Sequence, residues 1–272
     1  MIELPEAHVL ADQINETLKG KVIQTAVANA SPHAFAQYTG DPAGYQARLG
    51  GKQIANAKPH AGSVEILAGD MLMVISTPIK YHAPGEKPPA KHQLLLEFAD
   101  ASHMSCTVAM WGAMYCFSLA KGEVPEEYSK DRAPDPLTAA FDEAYFGALW
   151  STAKSNLSAK AFLATEQRIP GLGNGVLQDI LFNAGIHPKR KLQSIGQAER
   201  RKLYDSVKAT LADMRARGGR DTERDLFGAK GGYKTILSAN TAKEPCPACG
   251  GPLIREAYLG GNIYYCPKCQ PL

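Results

Sequence analysis

Four of the six cysteines fall into two pairs, Cys246 with Cys249 and Cys266 with Cys269, with sixteen residues between the pairs. Each Cys-x-x-Cys turn offers two sulfurs, and two turns together make a tetrahedral four-thiolate set. That is the chemistry of a structural zinc ion, with a redox pair as the competing reading. The residues between read as two strands about a Gly260-Gly261 turn, so a β-hairpin zinc finger is expected, too small to keep its shape without one Zn2+. No histidine or carboxylate beside the cysteines points to an open catalytic position. Cys106 and Cys116 lie in apolar, strand-like surroundings and read as core. A second constellation, residues 167–175, holds Gly171, Gly173 and Gly175 around Asn174. Glycines there let the backbone approach a phosphate, and exposed amides at the following helix N-terminus favour an anion; the alternative is an ordinary turn.

The elements that must position these groups follow from periodicity. Leu4, Ala7, Leu10, Ala11, Ile14 and Leu18 share one face, with Pro5 in the first turn and Gly20 at the stop, which predicts an N-terminal helix over 3–18. From Lys21 to Phe117 the pattern becomes short β-rich runs, with Gly69-Asp70 as a hairpin signal. Antiparallel strands packed with the first helix are expected to form a small sandwich or barrel. Residues 77–90, rich in Pro and Lys, are expected as an exposed loop. A linker over 121–136 breaks both periodicities at Glu123, Glu126, Glu127, Lys130 and Asp131. Beyond it helices are expected over 137–151, 158–165, 174–184 and 195–216, with Gly185 as a left-handed stop and Pro188 preventing continuation.

Length and charge narrow the function. At 272 residues and 44% hydrophobic the chain can bury one large core or two ordinary ones. No apolar run approaches the roughly 18 residues that span a bilayer, and Glu3 and Glu6 stand where a secretory signal would be basic. Residence in the cytoplasm or nucleoid is expected. The net charge of +3 is segregated: residues 1–150 carry 11 Lys and Arg against 17 Asp and Glu, and residues 151–272 carry 19 against 10. A basic half of this kind suits a polyanion, because phosphate contacts release counterions, although a solvated basic face is the plainer alternative.

Three separated features are similar to the formamidopyrimidine-DNA glycosylase/endonuclease VIII family: Glu3-Leu4-Pro5-Glu6 at the start, residues 171–188, and the terminal four-cysteine finger. The resemblance runs along the whole chain in the right order. It implies an α+β protein with an antiparallel β-sandwich and leading helix (1–130), a helical helix-two-turn-helix DNA-binding domain (131–242) and the zinc finger (243–272). It further implies a monomeric base-excision repair enzyme, a DNA N-glycosylase with abasic-site lyase activity on oxidised bases. Its partner is double-stranded DNA containing damaged bases or abasic sites, whose target nucleotide is flipped out of the stack.

The implied nucleophile is the terminal amine, on Ile2 if Met1 is removed and on Met1 if it is retained, with Glu3 transferring protons. Ile2 stands where most of the family has proline, and a catalytically silent damaged-DNA binder is the alternative. Glu3 read by itself is a first-turn residue favoured by the helix dipole. Lys160, Gly173 and Asn174 are the implied phosphate contacts, and Lys189 and Arg190 would extend the track unless they form a solvated patch. Lys52 and Lys58 are candidates for a family lysine on the early strands. Residues 218–232 occupy the place of a mobile lesion-capping loop. Residues 108–114 replace an Arg- and Phe-bearing probe, with Trp111 expected in the core and a wedge as its alternative.

Overall fold

The computed structural model describes residues 2–126, 128 and 132–272. Met1, and Glu127, Lys130 and Asp131 of the expected linker, lie outside the described residues. Two compact units form, one from Met1–Arg132 with Thr222–Gly231, the other from Ala133–Asp221 with Gly232–Leu272.

In the first unit, α1 (Leu4–Thr17) buries Leu4, Ala7, Leu10, Ala11 and Ile14, the stripe that the 3.6-residue period puts on one face. Gly20 then turns the chain at φ +88°, a conformation that L side chains resist. The strands follow as β1 (Ile23–Ala28), β2 (Ala36–Tyr38), then helix α2 (Tyr45–Leu49), β3 (Ile54–His60), β4 (Ser63–Ala68) and β5 (Met71–Ile75). They continue as β6 (Ile79–His82), β7 (Leu94–Phe98), β8 (His103–Cys106) and β9 (Gly112–Ser118). Two sheets result, ordered β1-β7-β8-β6 and β2-β9-β5-β4-β3, and their side chains share one apolar core with α1.

Three expectations need correction here. The β2–β9 pair is parallel, which alternating hydrophobicity cannot reveal. Residues 77–90 are not all loop: Thr77, Ile79 and His82 are buried and β6 pairs with β8, so the exposed stretch starts at Ala83. Residues 222–231 leave the second unit's chain to pack in the first, where Leu226 is wholly buried.

In the second unit, α3 (Glu143–Ser151) starts later than its apolar pattern, because Asp142 caps it by accepting the Tyr145 N–H at 2.7 Å. A π-helical turn, Ala161–Thr165, replaces the expected α-helix over 158–165. Helix α4 (Asn174–Ala184) ends at Gly185 in the left-handed region, with the Ile186 N–H returning to the Leu181 carbonyl. Helix α5 (Gln197–Ala216) packs on it, and the chain closes in the hairpin β10 (Ile254–Tyr258) and β11 (Gly261–Tyr265). The hairpin turn falls at Leu259-Gly260, one residue earlier than the glycines suggest, and Leu259 takes φ +46°.

Candidate metal centre and nucleic-acid interface

The four finger cysteines converge. Their sulfurs all lie within 4.8 Å of one another, with Cys249 and Cys266 3.5 Å apart and Cys246 and Cys269 3.8 Å apart. A tetrahedron with Zn–S bonds of about 2.3 Å has edges of about 3.8 Å, so the donor set fits one such ion. Backbone bonds shape each turn: the Gly250 N–H donates to the Cys246 carbonyl at 2.8 Å and the Gln270 N–H to the Cys266 carbonyl at 2.8 Å. Gln270, fully buried, also accepts the Cys266 N–H and donates to the Ile186 carbonyl, tying the second turn to the end of α4.

The implied phosphate contacts meet at the same hairpin. Asn174 opens α4 behind Gly173, and its Nδ2 donates to the Asn262 carbonyl at 2.8 Å. Lys160 is only 2% exposed and its Nζ donates to the Tyr258 carbonyl at 2.5 Å; burial lowers its pKa from the ordinary lysine value. Gln178, one turn beyond Asn174, donates to the Asn262 carbonyl at 3.2 Å and accepts the Tyr264 N–H at 3.0 Å. A Cβ at Gly261 would lie 3.4 Å from the Asn174 amide, in van der Waals contact, which shows how close the hairpin sits to the helix N-terminus. Gln178 and Gln270 were not singled out from sequence. Polar residues at otherwise apolar positions were the one available signal, and their partners are tens of residues away.

Lys189 and Arg190 diverge. The Lys189 ammonium lies over the Tyr258 ring and bonds Glu256 at 2.6 Å, which raises the lysine's pKa and lowers the glutamate's. Arg190 grips Glu199 at 2.5 and 2.8 Å and donates to the Ser194 carbonyl, and the bond to Arg190 lowers the Glu199 pKa. Both pairs are half-buried, and phosphate oxygens can compete for the same cations.

In the first unit, Ile2 and Glu3 are both buried, at 3% and 9% exposure. The Ile2 side chain belongs to the sandwich core. Glu3 is the N-cap of α1, its N–H donating to Glu6 Oε2 at 3.3 Å as one half of a capping box. Lys52 pairs with Asp70 at 2.5 Å, and Lys58 is exposed on β3.

Trp111 corrects its core expectation. It is 41% exposed, beside Met110 at 78%, because β9 begins only at Gly112 and both residues fall on the tip before it. Phe35, also exposed, joins them through the Gly112 N–H bond to the Phe35 carbonyl. The tip is braced: the Val108 N–H donates to Gln93 Oε1 at 2.7 Å, and the Thr77 hydroxyl donates to the Thr107 carbonyl.

A two-sheet unit led by a buried glutamate, and a helical unit closed by a four-cysteine hairpin, together define the class of DNA-repair glycosylases with a helix-two-turn-helix domain. The family model "Formamidopyrimidine-DNA glycosylase H2TH domain" matches residues 133–224. The formamidopyrimidine-DNA glycosylase of Methylococcus capsulatus is 34% identical over 199 residues, 67% of this chain and 68% of that one. The Bacillus cereus protein of the same name is 26% identical across 100% of this chain and 99% of its own. Among solved structures, MutM (Fpg) from Thermus thermophilus superposes with a TM-score of 0.79 at 22% identity, covering 98% of each chain. Lactococcus lactis Fpg in complex with abasic-site DNA gives 0.83 at 23% identity, covering 99% and 100%. The chain belongs to the formamidopyrimidine-DNA glycosylase family, whose members are base-excision repair enzymes. No helix among the described residues is long and apolar enough to cross a membrane.

Proposed function

We propose that this protein acts as a monomer on double-stranded DNA containing oxidised bases or abasic sites, excising the base and cleaving the strand through an imine on its N-terminal amine. The observation that carries this reading is Glu3, a buried carboxylate at the N-cap of α1 and next in sequence to the candidate amine. An α-amine has an ordinary pKa of about 8 against about 10.4 for lysine, so far more of it is neutral and nucleophilic near pH 7. Its nitrogen attacks C1′ as the bond to the base breaks, and the electron pair leaves with the base. The nitrogen loses a proton and its lone pair then opens the C1′–O4′ bond to form the imine, with Glu3 accepting and returning protons at the sugar, the ring oxygen O4′ taking one up as it leaves. Loss of a proton from C2′ of the imine then expels the 3′ phosphate by β-elimination.

The second unit supplies the grip. Lys160, Gly173 and Asn174 set the α4 N-terminus and the finger hairpin against one another, presenting backbone amides to a phosphate with the Lys160 charge close behind them. One structural Zn2+ on the four cysteines would hold the hairpin in that place. The exposed Met110 and Trp111 suit a wedge between unstacked bases.

A silent damaged-DNA binder is the second reading, favoured by Ile2: its side chain is committed to the sandwich core, and it stands where the family resemblance implies proline. Borohydride with abasic-site DNA separates the two. The enzyme reading expects a covalent complex whose adduct maps to the terminal amine, Ile2 or Met1 according to intact mass. Zinc-loaded protein that binds abasic DNA tightly yet neither traps nor nicks it would overturn the enzyme reading.

A further inference from the structure

Helix α1 is gripped from two sides by amide side chains. Asn15 makes a reciprocal pair with β3, its Nδ2 donating to the Ala57 carbonyl at 2.8 Å and its Oδ1 accepting the Ala57 N–H at 2.7 Å. Gln13 makes a second reciprocal pair with residues 225–226, its Nε2 donating to Asp225 Oδ2 at 3.0 Å and its Oε1 accepting the Leu226 N–H at 2.9 Å. Positions two apart on a helix lie about 200° apart around the axis, so the two pairs hold nearly opposite flanks.

The second grip is itself fixed. Leu226 is 0% exposed within the core that also holds Ile2, and its carbonyl accepts the Tyr81 N–H of β6 at 2.8 Å. Asp225 Oδ1 accepts the Phe227 and Ala229 N–H groups at 3.0 and 2.8 Å, leaving Oδ2 for Gln13. Gly228, at φ +81°, closes this turn with its N–H on the Asp225 carbonyl. A segment more than two hundred residues from α1 in sequence, part of the stretch expected as a mobile loop, is here instead buried and hydrogen-bonded as a shelf against it.

The geometry points to Gln13, Asp225 and Leu226 as positioning residues for the reaction proposed above: by stopping α1 from rolling, the shelf fixes where Glu3 and the terminal amine stand. The inference rests on that reading. A side chain reaches about 6 Å from a helix axis, so a roll of about 10° displaces it by about 1 Å. A misplacement of that size costs on the order of a hundredfold in rate. The apolar stripe of α1 anchors one face of the helix in the core, and the two reciprocal pairs hold its flanks.

Single-turnover borohydride trapping on abasic-site DNA tests this, with rate and final amplitude read separately. Gln13→Glu sets a carboxylate against Asp225 Oδ2 and breaks the pair. The trapping rate should fall at least tenfold, while amplitude and affinity for abasic DNA stay within about twofold. Adding Asp225→Asn exchanges donor and acceptor, restores two hydrogen bonds, and should return the rate to within about threefold of the starting protein. Gln13→Glu trapping at the unaltered rate would overturn the inference alone, as would a deficit confined to amplitude, which marks a plain loss of folded protein, or a double variant no faster than the single. An unsubstituted protein that fails to trap overturns it together with the enzyme reading.

Discussion

At the finger, four sulfurs are supplied by two turns that their own backbone hydrogen bonds shape, and every ligand lies within 24 residues of the others. At the start of α1, Ile2 packs into a core drawn from both sheets, and Gln13 further along the helix accepts the Leu226 N–H. One site is local and the other is assembled from distant chain. The lesson is that a motif written in consecutive residues survives divergence of its surroundings, while a site held by distant contacts can keep its residues and lose its aim. The tip at Met110 and Trp111 belongs with the second kind, since Phe35 is brought next to it by the β2–β9 pairing and the Gly112 N–H bond to the Phe35 carbonyl.

The largest expected effect breaks the local side of this comparison. Removing metal with a chelator, or Cys266→Ala, should release one zinc per chain and lower DNA affinity at least a hundredfold, while hydrogen exchange in α1 and the sandwich stays protected. Protein that carries no zinc, or binds as before after chelation, contradicts the assignment.

Glu3→Gln probes the distant side. It should lower turnover by about a hundredfold or more, the usual weight of a positioned acid or base, with DNA affinity changed less than about threefold. Equal losses in turnover and affinity would instead mark Glu3 as a capping residue.

A smaller effect is expected from Asn174→Ala, which removes the bond to the Asn262 carbonyl. Affinity should fall about tenfold, equally for every lesion and for undamaged duplex, and the fall should shrink at high salt. A loss confined to one damaged base would place Asn174 against the base rather than the backbone.

The smallest effect is a titration. Asp179 on α4 is fully buried, and burial raises its carboxyl to about 6 although the Ile236 and Leu237 N–H groups favour the ionised form. The folded state therefore holds this proton more tightly than the unfolded chain, whose ordinary value is about 3.9. Ionisation costs stability as pH rises from about 4 through about 6 and the cost is constant above that. Carboxyl NMR of Asp179 should show a midpoint near 6, and Asp179→Asn should flatten the stability profile across that window. A midpoint near 4 would show that the backbone donors outweigh burial.

The amino-acid sequence by itself determined the four-cysteine cluster, the Gly69-Asp70 hairpin, helix α4 to the residue and α1 to within one residue at each end, because cysteine spacing, amphipathic period and a left-handed glycine stop each act within a few residues. Tertiary structure decided what those elements meet. It sent Lys160 and Asn174 to the carbonyls of a hairpin some ninety residues on. It gave Arg190 to Glu199, lifted Trp111 out of the core, and folded residues 222–231 back beneath α1. For the buried polar groups the physical reason is that each must find a partner, and which partner lies within 3 Å is set by how sheets and helices pack, not by neighbours in sequence.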